Sequence, residues 1–462
     1  MKINSVIAAV STPPGKGGVA IIRVSGDGAL DIAERVFIPK SKKPLREITP
    51  RMQVFGNVVY KGEEIDDGLI TYFKSPNSYT GEDVIEISCH GGALVTSLVL
   101  EALFSAGAAP ASAGEFTRRA LLNGKISLTD AEAVGALLEA KTDSQLKIAR
   151  ESSRTALSRE IAKIRKGVTE LLSSALARID YPEEDLGDFT DEELLERLTL
   201  LTESAGKLAG SYQTARAINE GIKTVICGKP NVGKSSLYNL ILGKESAIVT
   251  DIKGTTRDVL QSYATLGKTL LLLSDTAGIR ASSNDEIENI GISRSWEEIG
   301  EAELILALFD ASAPLDSDDE DIITELSALH GTKLAILNKC DKESQLDKKD
   351  FEKDFDAILE ISAKFDGTKA RLQLGKLIDS LFTNEKIELG TDALIANARQ
   401  HSALLRATEA LDGAKETLAL GLTQDLVASQ LELALSEIAE LEGKKVTDEV
   451  LADIFSKFCV GK

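Results

Sequence analysis

Residues 228–235 read Gly-Lys-Pro-Asn-Val-Gly-Lys-Ser and carry the groups that hold a nucleotide phosphate. The apolar residues 224–227 before them predict a strand, and the residues from Ser236 onward predict the start of a helix. In such a turn the backbone N–H groups point at phosphate oxygens, the Lys234 ammonium reaches the outer phosphates and the Ser235 hydroxyl binds Mg²⁺. The segment therefore predicts a phosphate-binding loop.

Three further motifs follow in the chain, each after an apolar segment. Asp341, in Asn338-Lys339-Cys340-Asp341, presents a carboxylate that accepts hydrogen bonds from the N1–H and 2-amino groups of guanine. Adenine lacks this pair of donors, so the site rejects adenine. Residues 362–364, Ser-Ala-Lys, suit a loop that closes over guanine, and residues 275–278, Asp-Thr-Ala-Gly, bring a carboxylate to Mg²⁺. The four motifs together predict a GTP-binding domain.

The residue after Asp-Thr-Ala-Gly excludes the Ras-type mechanism of GTP hydrolysis. Ras-type enzymes place a glutamine there to orient the attacking water, whereas this chain has Ile279, which neither donates nor accepts a hydrogen bond. Another group must therefore position the water. A monovalent cation is one source of the positive charge that an arginine finger supplies elsewhere, with oxygen ligands available from Asn231 and residues 250–256.

The elements that position these motifs change along the chain, whose 462 residues predict about three domains on a prior of ~150 residues each. Residues 1–120 mix short strands and turns and predict an α+β domain. Residues 121–220 have helical leucine spacing, with capping boxes predicted at 129–132 and 190–193. Residues 221–384 predict a Ras-like P-loop GTPase domain with a mostly parallel sheet, and residues 385–462 a second helical part. The predicted fold class is multidomain α/β plus α, with the GTPase domain inserted into a discontinuous helical domain.

Composition narrows the partners and the compartment. The net charge of −20 argues against a nucleic-acid surface that covers the whole chain, so an RNA substrate would need a local basic patch or a basic partner protein. No apolar run reaches ~18 residues and the N-terminus lacks the apolar core of a signal peptide, so we expect no membrane association. Four scattered cysteines without a Cys-x-x-Cys pair predict reduced thiols in a cytoplasmic protein.

Further motifs lie within and outside the GTPase segment: Gly254-Thr255-Thr256-Arg257-Asp258, residues 12–18, 22–26, 79–83 and 114–120, and the C-terminal Phe458-Cys459-Val460-Gly461-Lys462. With these motifs the chain resembles, over essentially its whole length, the MnmE (TrmE) family of tRNA-modification GTPases. The usual family ending is Cys-Ile-Gly-Lys, and Val460 keeps the β-branched apolar character of that isoleucine.

The resemblance implies metal ligands and a group that orients water. It implies that Mg²⁺ is bound by Ser235 and Thr256, and K⁺ by the side chains of Asn231 and Thr255 and the carbonyls of Thr250 and Ile252. Potassium then favours pairing of two GTPase domains in a homodimer. The water-orienting acid is Glu288, with Glu286 as the alternative, because one residue is inserted relative to the usual family spacing. The GTP-binding residues are Asn231, Val232, Gly233, Lys234, Ser235, Ser236, Thr250, Thr255, Thr256, Asp275, Thr276, Ala277, Gly278, Asn338, Lys339, Asp341, Ser362, Ala363 and Lys364.

The N-terminal domain resembles the folate-binding domain of glycine-cleavage aminomethyltransferases. That resemblance implies a tetrahydrofolate one-carbon donor, 5,10-methylene or 5-formyl, bound by Arg23, Glu82 and Arg119. Separately, the matched Cys-x-Gly-Lys ending of the MnmE family implies a catalytic role for Cys459, in the terminal motif that ends at Lys462.

The hypothesis is a potassium-stimulated GTPase that works with a flavin-containing partner of the MnmG (GidA) family in a heterotetramer or larger complex. Together they would add an aminomethyl or carboxymethylaminomethyl group to carbon 5 of the tRNA wobble uridine. Two alternatives remain at this point: a ribosome-assembly or regulatory GTPase without covalent chemistry, and a folate-dependent aminomethyltransferase with a regulatory GTPase insert.

Overall fold

The computed structural model describes residues 5–152, 156–180, 190–248, 261–274, 299–443 and 447–461. The chain divides into two compact units. Unit 1 consists of residues 1–139 and 432–462, and unit 2 of residues 140–431.

Unit 1 is built on a seven-stranded sheet of order β3-β4-β5-β6-β2-β1-β7. Its strands are β1 Ile7–Val10, β2 Gly17–Ser25, β3 Phe37–Pro39, β4 Gln53–Tyr60, β5 Glu63–Phe73, β6 Val84–Gly91 and β7 Ala109–Pro110. In β2 the fully buried Ile22 and Val24 alternate with the partly exposed Arg23. Because side chains alternate across a strand, Arg23 lies on the face opposite the apolar core, directly across from Glu86 of β6.

Five helices of the described chain belong to unit 1. They are α1 Ala29–Val36, α2 Ala93–Ser105, α3 Glu115–Leu122, α4 Leu128–Glu139 and, near the C-terminus, α13 Asp448–Ser456. Helices α1 and α2 cover the apolar face of the sheet, where Val99 and Leu103 pack with Ile22 and Ile87. A separate cluster joins Leu128 of α4 to Phe455 of α13.

Unit 2 contains a second seven-stranded sheet of order β14-β13-β12-β8-β11-β10-β9. Its strands are β8 Ile222–Cys227, β9 Ala247–Ile248, β10 Gln261–Leu266, β11 Thr269–Ser274, β12 Leu304–Asp310, β13 Thr332–Asn338 and β14 Ala357–Ile361. The five neighbouring strands β14, β13, β12, β8 and β11 are parallel to one another. Strand β10 pairs antiparallel with β11 on one side and with β9 on the other. The predicted mostly parallel sheet is confirmed. Because the carboxyl ends of parallel strands share one edge, the segments after β8, β13 and β14 meet there.

Eight more helices lie in the described ranges. They are α5 Asp143–Ser152, α6 Ala156–Asp180, α7 Asp191–Asn219, α8 Lys234–Ser246, α9 Ser317–Ser327, α10 Gly367–Phe382, α11 Ala398–Ala419 and α12 Gln424–Leu441, and the sequence boundary between the units falls within α12. Helix α7, before the GTPase segment, packs against α11, which follows it. This contact confirms the predicted discontinuous helical domain.

One predicted capping box is confirmed and the other is wrong. At α7 the Thr190 hydroxyl accepts from the Glu193 N–H and the Glu193 carboxylate accepts from the Thr190 N–H, as predicted. At α4 the helix begins at Leu128, so Thr129 lies inside it. The reciprocal bonds are made two residues earlier, by Ser127 and Asp130, which satisfy the same unpaired N–H groups.

None of the helices in the described ranges combines the length and apolar composition that a membrane span needs.

Candidate functional site

The phosphate-loop residues 228–233 connect β8 to α8, as predicted. Their backbone passes through positive φ at Gly228 (136°), Asn231 (66°) and Gly233 (108°). Turns with residues in this conformation can present backbone N–H groups to an anion. The Lys234 ammonium donates to the carbonyls of Gly228 (2.7 Å) and Lys229 (2.9 Å). Burial lowers the pKa of Lys234. The loop thus holds a lysine ammonium over its own backbone, where it can exchange carbonyl partners for phosphate oxygens.

Asn338 joins the phosphate loop to the predicted guanine-binding segments. Its side chain is buried, with Nδ2 donating to the Val232 carbonyl at 2.7 Å and Oδ1 accepting from the Ala363 N–H at 3.0 Å. Gly233 permits this approach, because a Cβ there would lie 2.3 Å from Asn338 Nδ2. Asn338 therefore links three loops, and its side-chain amide faces protein groups.

Asp341 is the side chain in this region that is free to meet a base. It is exposed, and its Oδ1 accepts a 2.6 Å hydrogen bond from the Ser362 hydroxyl. One carboxylate oxygen is thus oriented by the protein and the other is available, which fits the recognition of the N1–H and 2-amino groups of guanine. Lys339 has φ 68° and donates to Asp310 at 2.5 Å, which holds the turn of this motif.

Lys229, a phosphate-loop residue outside the predicted contacts, is held from the side of α9. Its ammonium donates to Asp316 and Asp319, each at 2.6 Å. These two aspartates form the capping box of α9, and their hydrogen bonds raise the pKa of Lys229. The capping pattern Asp-x-x-Asp is readable in the sequence, but its contact with the loop is not, because 87 residues separate Lys229 from Asp316.

In unit 1, Arg119 and Glu82 lie together with Glu115. The Arg119 side chain is 1% exposed and donates to Glu82 (3.2 Å), Glu115 (2.8 Å) and the Ser5 carbonyl (2.8 Å). Glu82 also accepts from the Ser25 hydroxyl at 2.8 Å. Burial opposes ionisation of Glu115, but hydrogen bonds from Ser112 and Arg119 outweigh it and lower the pKa of Glu115. Arg119 is thus enclosed by protein acceptors and orients Glu82, which keeps part of its carboxylate at the surface.

Arg23 lies on the same face of β2 as Ser25. Its guanidinium donates to Glu86 through both Nε (2.9 Å) and Nη2 (2.7 Å), and its Cζ lies 5.7 Å from the rings of Tyr79 and Phe116. This arrangement fixes a planar cation that is 20% exposed beside two aromatic rings.

The C-terminal residues lie against this region of unit 1. The Gly461 carbonyl accepts from the Ser11 hydroxyl at 2.9 Å and from Arg23 Nη1 at 3.5 Å, and the Gly114 N–H donates to the Cys459 carbonyl at 3.4 Å. Cys459 is exposed. The structure therefore brings the backbone of the segment that carries Cys459 close to the predicted folate ligand Arg23.

His90, near the end of β6, pairs with Asp66. Its Nδ1 lies 2.7 Å from Asp66, which also accepts from the His90 N–H at 2.8 Å, and the hydrogen bond to Asp66 raises the pKa of His90. Together with Asp67 these residues form a group of potential metal ligands, but the ion pair already accounts for the contact.

Comparison with known families identifies the chain. The profile of the MnmE helical domain matches residues 128–459, and that of the N-terminus of the GTP-binding protein TrmE matches residues 6–125. The chain belongs to the MnmE (TrmE) family. The predicted resemblance and the multidomain fold class are both confirmed.

Relatives of the MnmE family match from end to end. The tRNA modification GTPase MnmE of Clostridioides difficile is 39% identical over 465 residues, with 100% of both chains covered. That of Carboxydothermus hydrogenoformans is 39% identical over 468 residues, again with 100% of both chains. Among solved structures, the G domain of the T. maritima FeoB iron transporter covers 34% of this chain and 98% of its own, at 21% identity and a TM-score of 0.25. A TM-score of 0.25 is too low to support an inference from this structure.

Several residues that the MnmE resemblance singles out lie outside the described residues. These are Thr250, Ile252, Thr255, Thr256, Asp275, Thr276, Ala277, Gly278, Glu286, Glu288 and Lys462. Among the described ones, the structure brings Asn231, Val232, Gly233, Lys234, Ser235, Ser236, Asn338, Lys339, Asp341, Ser362, Ala363 and Lys364 to the carboxyl edge of one sheet. Their assignment as ligands remains a prediction.

Proposed function

We propose that this tRNA-modification GTPase is stimulated by potassium and acts in the cytoplasm with an MnmG (GidA)-type flavin protein. Together they add an aminomethyl or carboxymethylaminomethyl group to carbon 5 of the tRNA wobble uridine, with a tetrahydrofolate derivative as the one-carbon donor. The observation that carries the proposal is the contact of the Cys459 tail with the Arg23 region, 2.9 Å from Ser11 to Gly461 and 3.5 Å from Arg23 to Gly461. A regulatory GTPase without covalent chemistry would not need a terminal thiol there.

The GTPase part of the proposal rests on the chemistry of the loops at one sheet edge. Lys234 supplies the cation for the outer phosphates, and Asp341 reads guanine. The exposed Ser235 hydroxyl fits a Mg²⁺ ligand, and the exposed Asn231 side chain fits a K⁺ ligand, since both cations take oxygen donors. In the proposal Thr256 completes the Mg²⁺ site, and Thr250, Ile252 and Thr255 complete the K⁺ site. Glu288 orients the water, with Glu286 as the alternative, and the GTPase domains pair in a homodimer.

The folate part rests on the donor and acceptor set of unit 1. Bound folate would supply a one-carbon unit. Glu82 retains acceptor capacity beyond its bonds to Ser25 and Arg119, and so fits pterin N–H groups. Arg23 offers a partly exposed guanidinium to a carbonyl or carboxylate. Arg119 acts by holding Glu82 in place through the hydrogen bonds that its guanidinium donates to the Glu82 carboxylate.

The acidic charge of the chain also fits a complex in which the partner protein binds most of the tRNA. A net charge of −20 leaves most of the tRNA backbone to be neutralised by the flavin protein.

Mass spectrometry of tRNA from a deletion strain tests the modification. The wild-type gene should restore the wobble modification, whereas Cys459→Ser should leave the uridine unmodified while GTP turnover stays normal. Glu82→Gln should fail in the same way, and Glu101→Gln, an exposed glutamate of α2, is the matched control that should restore it. Unchanged wobble uridines in the deletion strain would refute the proposal.

GTP turnover in potassium and in sodium tests the cation. We expect faster turnover in potassium, and loss of that difference in Asn231→Ala because the cation loses a side-chain ligand. Equal rates in the two salts, or an Asn231→Ala enzyme that still prefers potassium, would remove the cation from the mechanism.

A further inference from the structure

Residues 459–461, here termed the terminal strap, cross unit 1 between two backbone segments. On one side Val460 forms an antiparallel bridge with Ala113, and the Gly114 N–H donates to the Cys459 carbonyl at 3.4 Å. On the other side the Ser11 hydroxyl donates to the Gly461 carbonyl at 2.9 Å. Contacts of the Cys459, Val460 and Gly461 backbone therefore fix the segment that carries the exposed Cys459 side chain.

The apolar attachment of this end of the chain stops at Phe458. Phe455 and Phe458 have ring centroids 5.4 Å apart and pack with the buried Leu128 and Ala131. Val460, by contrast, is 56% exposed. Little apolar burial holds the strap itself, so its position depends on hydrogen bonds and backbone fit.

The strap approaches β1 closely at its last described residue. Gly461 has φ 98°, and a Cβ there would lie 2.2 Å from the Val10 carbonyl oxygen. A side chain at this position would push the strap away from Ser11.

Arg23 connects the strap to the proposed folate site. The same guanidinium that is paired with Glu86 places Nη1 3.5 Å from the Gly461 carbonyl. That distance is at the limit of a hydrogen bond, so the shorter Ser11 contact is the stronger of the two.

We propose that Ser11 is a positioning residue for the modification reaction: with Arg23 it holds the Gly461 carbonyl and thereby sets the Cys459 thiol against the folate-binding face. This proposal rests on the proposed role of Cys459. It adds a residue that touches neither folate nor the reacting atoms and acts through the strap.

The test compares Ser11→Ala, Ser11→Thr and Gly461→Ala in the full chain with Ser105→Ala as the control. Ser105 is a serine of the same unit whose hydroxyl contacts Tyr60 at 3.3 Å, away from the strap. The readouts are hydrogen exchange of the C-terminal peptide, the kcat and KM of tRNA modification with the partner protein, and GTP turnover.

We expect Ser11→Ala and Gly461→Ala to speed exchange of the C-terminal peptide and to lower the modification kcat by about five- to tenfold, the effect of losing one hydrogen bond. The KM for tRNA and GTP turnover should not change, Ser11→Thr should recover most of the kcat because it keeps the hydroxyl, and Ser105→Ala should match the wild type.

Two results would overturn the positioning role: unchanged exchange in Ser11→Ala, or faster exchange with an unchanged kcat. Failure of the proposed function is seen separately, because Cys459→Ser would then retain modification whatever the strap does.

Discussion

Replacing Asn338 with alanine tests whether one buried amide holds the nucleotide site together. The substitution removes the 2.7 Å bond to the Val232 carbonyl and the 3.0 Å bond from the Ala363 N–H. Both partners are then left unpaired in a buried region, at a cost of about 1–3 kcal/mol each. Taking about 1.5 kcal/mol for each, we expect a loss of about 3 kcal/mol, which lowers the melting temperature of a domain of this size by about 6–12 °C.

Nucleotide affinity should fall along with stability. In Asn338→Ala the phosphate loop and the loop of Ala363 are no longer joined, so GDP must organise them on binding. Each 1.4 kcal/mol that binding has to supply weakens affinity tenfold, and we expect a loss of about 10- to 100-fold. Titration with a fluorescent GDP measures this loss, and hydrogen exchange at the Ala363 amide reports the broken bond directly.

Asn384→Ala is the matched control, since Asn384 is an exposed asparagine whose Oδ1 accepts from the Lys386 N–H. It should leave GDP affinity and the exchange of Ala363 unchanged. The reasoning is refuted if Asn338→Ala binds GDP within twofold of the wild type and keeps the Ala363 amide protected.

Three further predictions use the described residues. Asp341→Asn should weaken GTP binding by about 100-fold or more and favour a xanthine nucleotide, as competition binding would show, because an amide can donate to the 2-carbonyl of xanthine. The lowered pKa of Glu115 adds stability that is present above pH about 4.5 and is lost as the pH falls through its folded value. Glu115→Gln should therefore lower the melting temperature at pH 6 but by less at pH 3, and an equal effect at both would contradict the ion pair with Arg119. Brief alkylation at pH 8 should label Cys459 before Cys89, whose pKa burial raises to about 11, as peptide mapping would reveal.

The local conformation of the phosphate loop was largely predictable because its signals are local. A strand, a glycine-containing turn and a helix are contiguous in residues 222–246, and the structure places them as predicted. The role of Asn338 was not predictable, because its partners lie 106 and 25 residues away and are chosen by the order of the strands. The prediction of a capping box at Thr129 was wrong for a local reason, because Ser127 and Asp130 form an equivalent cap two residues earlier.

In unit 1, too, local motifs identified the residues, whereas the fold decided what surrounds them. Motif resemblance singled out Arg23, Glu82 and Arg119, but it treated all three as ligands. The fold separates them, since Arg119 is 1% exposed and bonded to Glu82 and Glu115, whereas Arg23 remains partly exposed. Exposure depends on what packs around a side chain, and that information is spread over the chain.

The sequence by itself determined the family of this protein and its local motifs, which include the loop of residues 228–235, the carboxylate of Asp341 and the thiol of Cys459. Contiguous motifs determine such groups because backbone conformation and residue type act over a few positions. Only the tertiary structure decided which groups meet. The Ser11 hydroxyl reaches the Gly461 carbonyl across 450 residues because β1 and the C-terminal strap are neighbours in unit 1, and no local pattern encodes that contact.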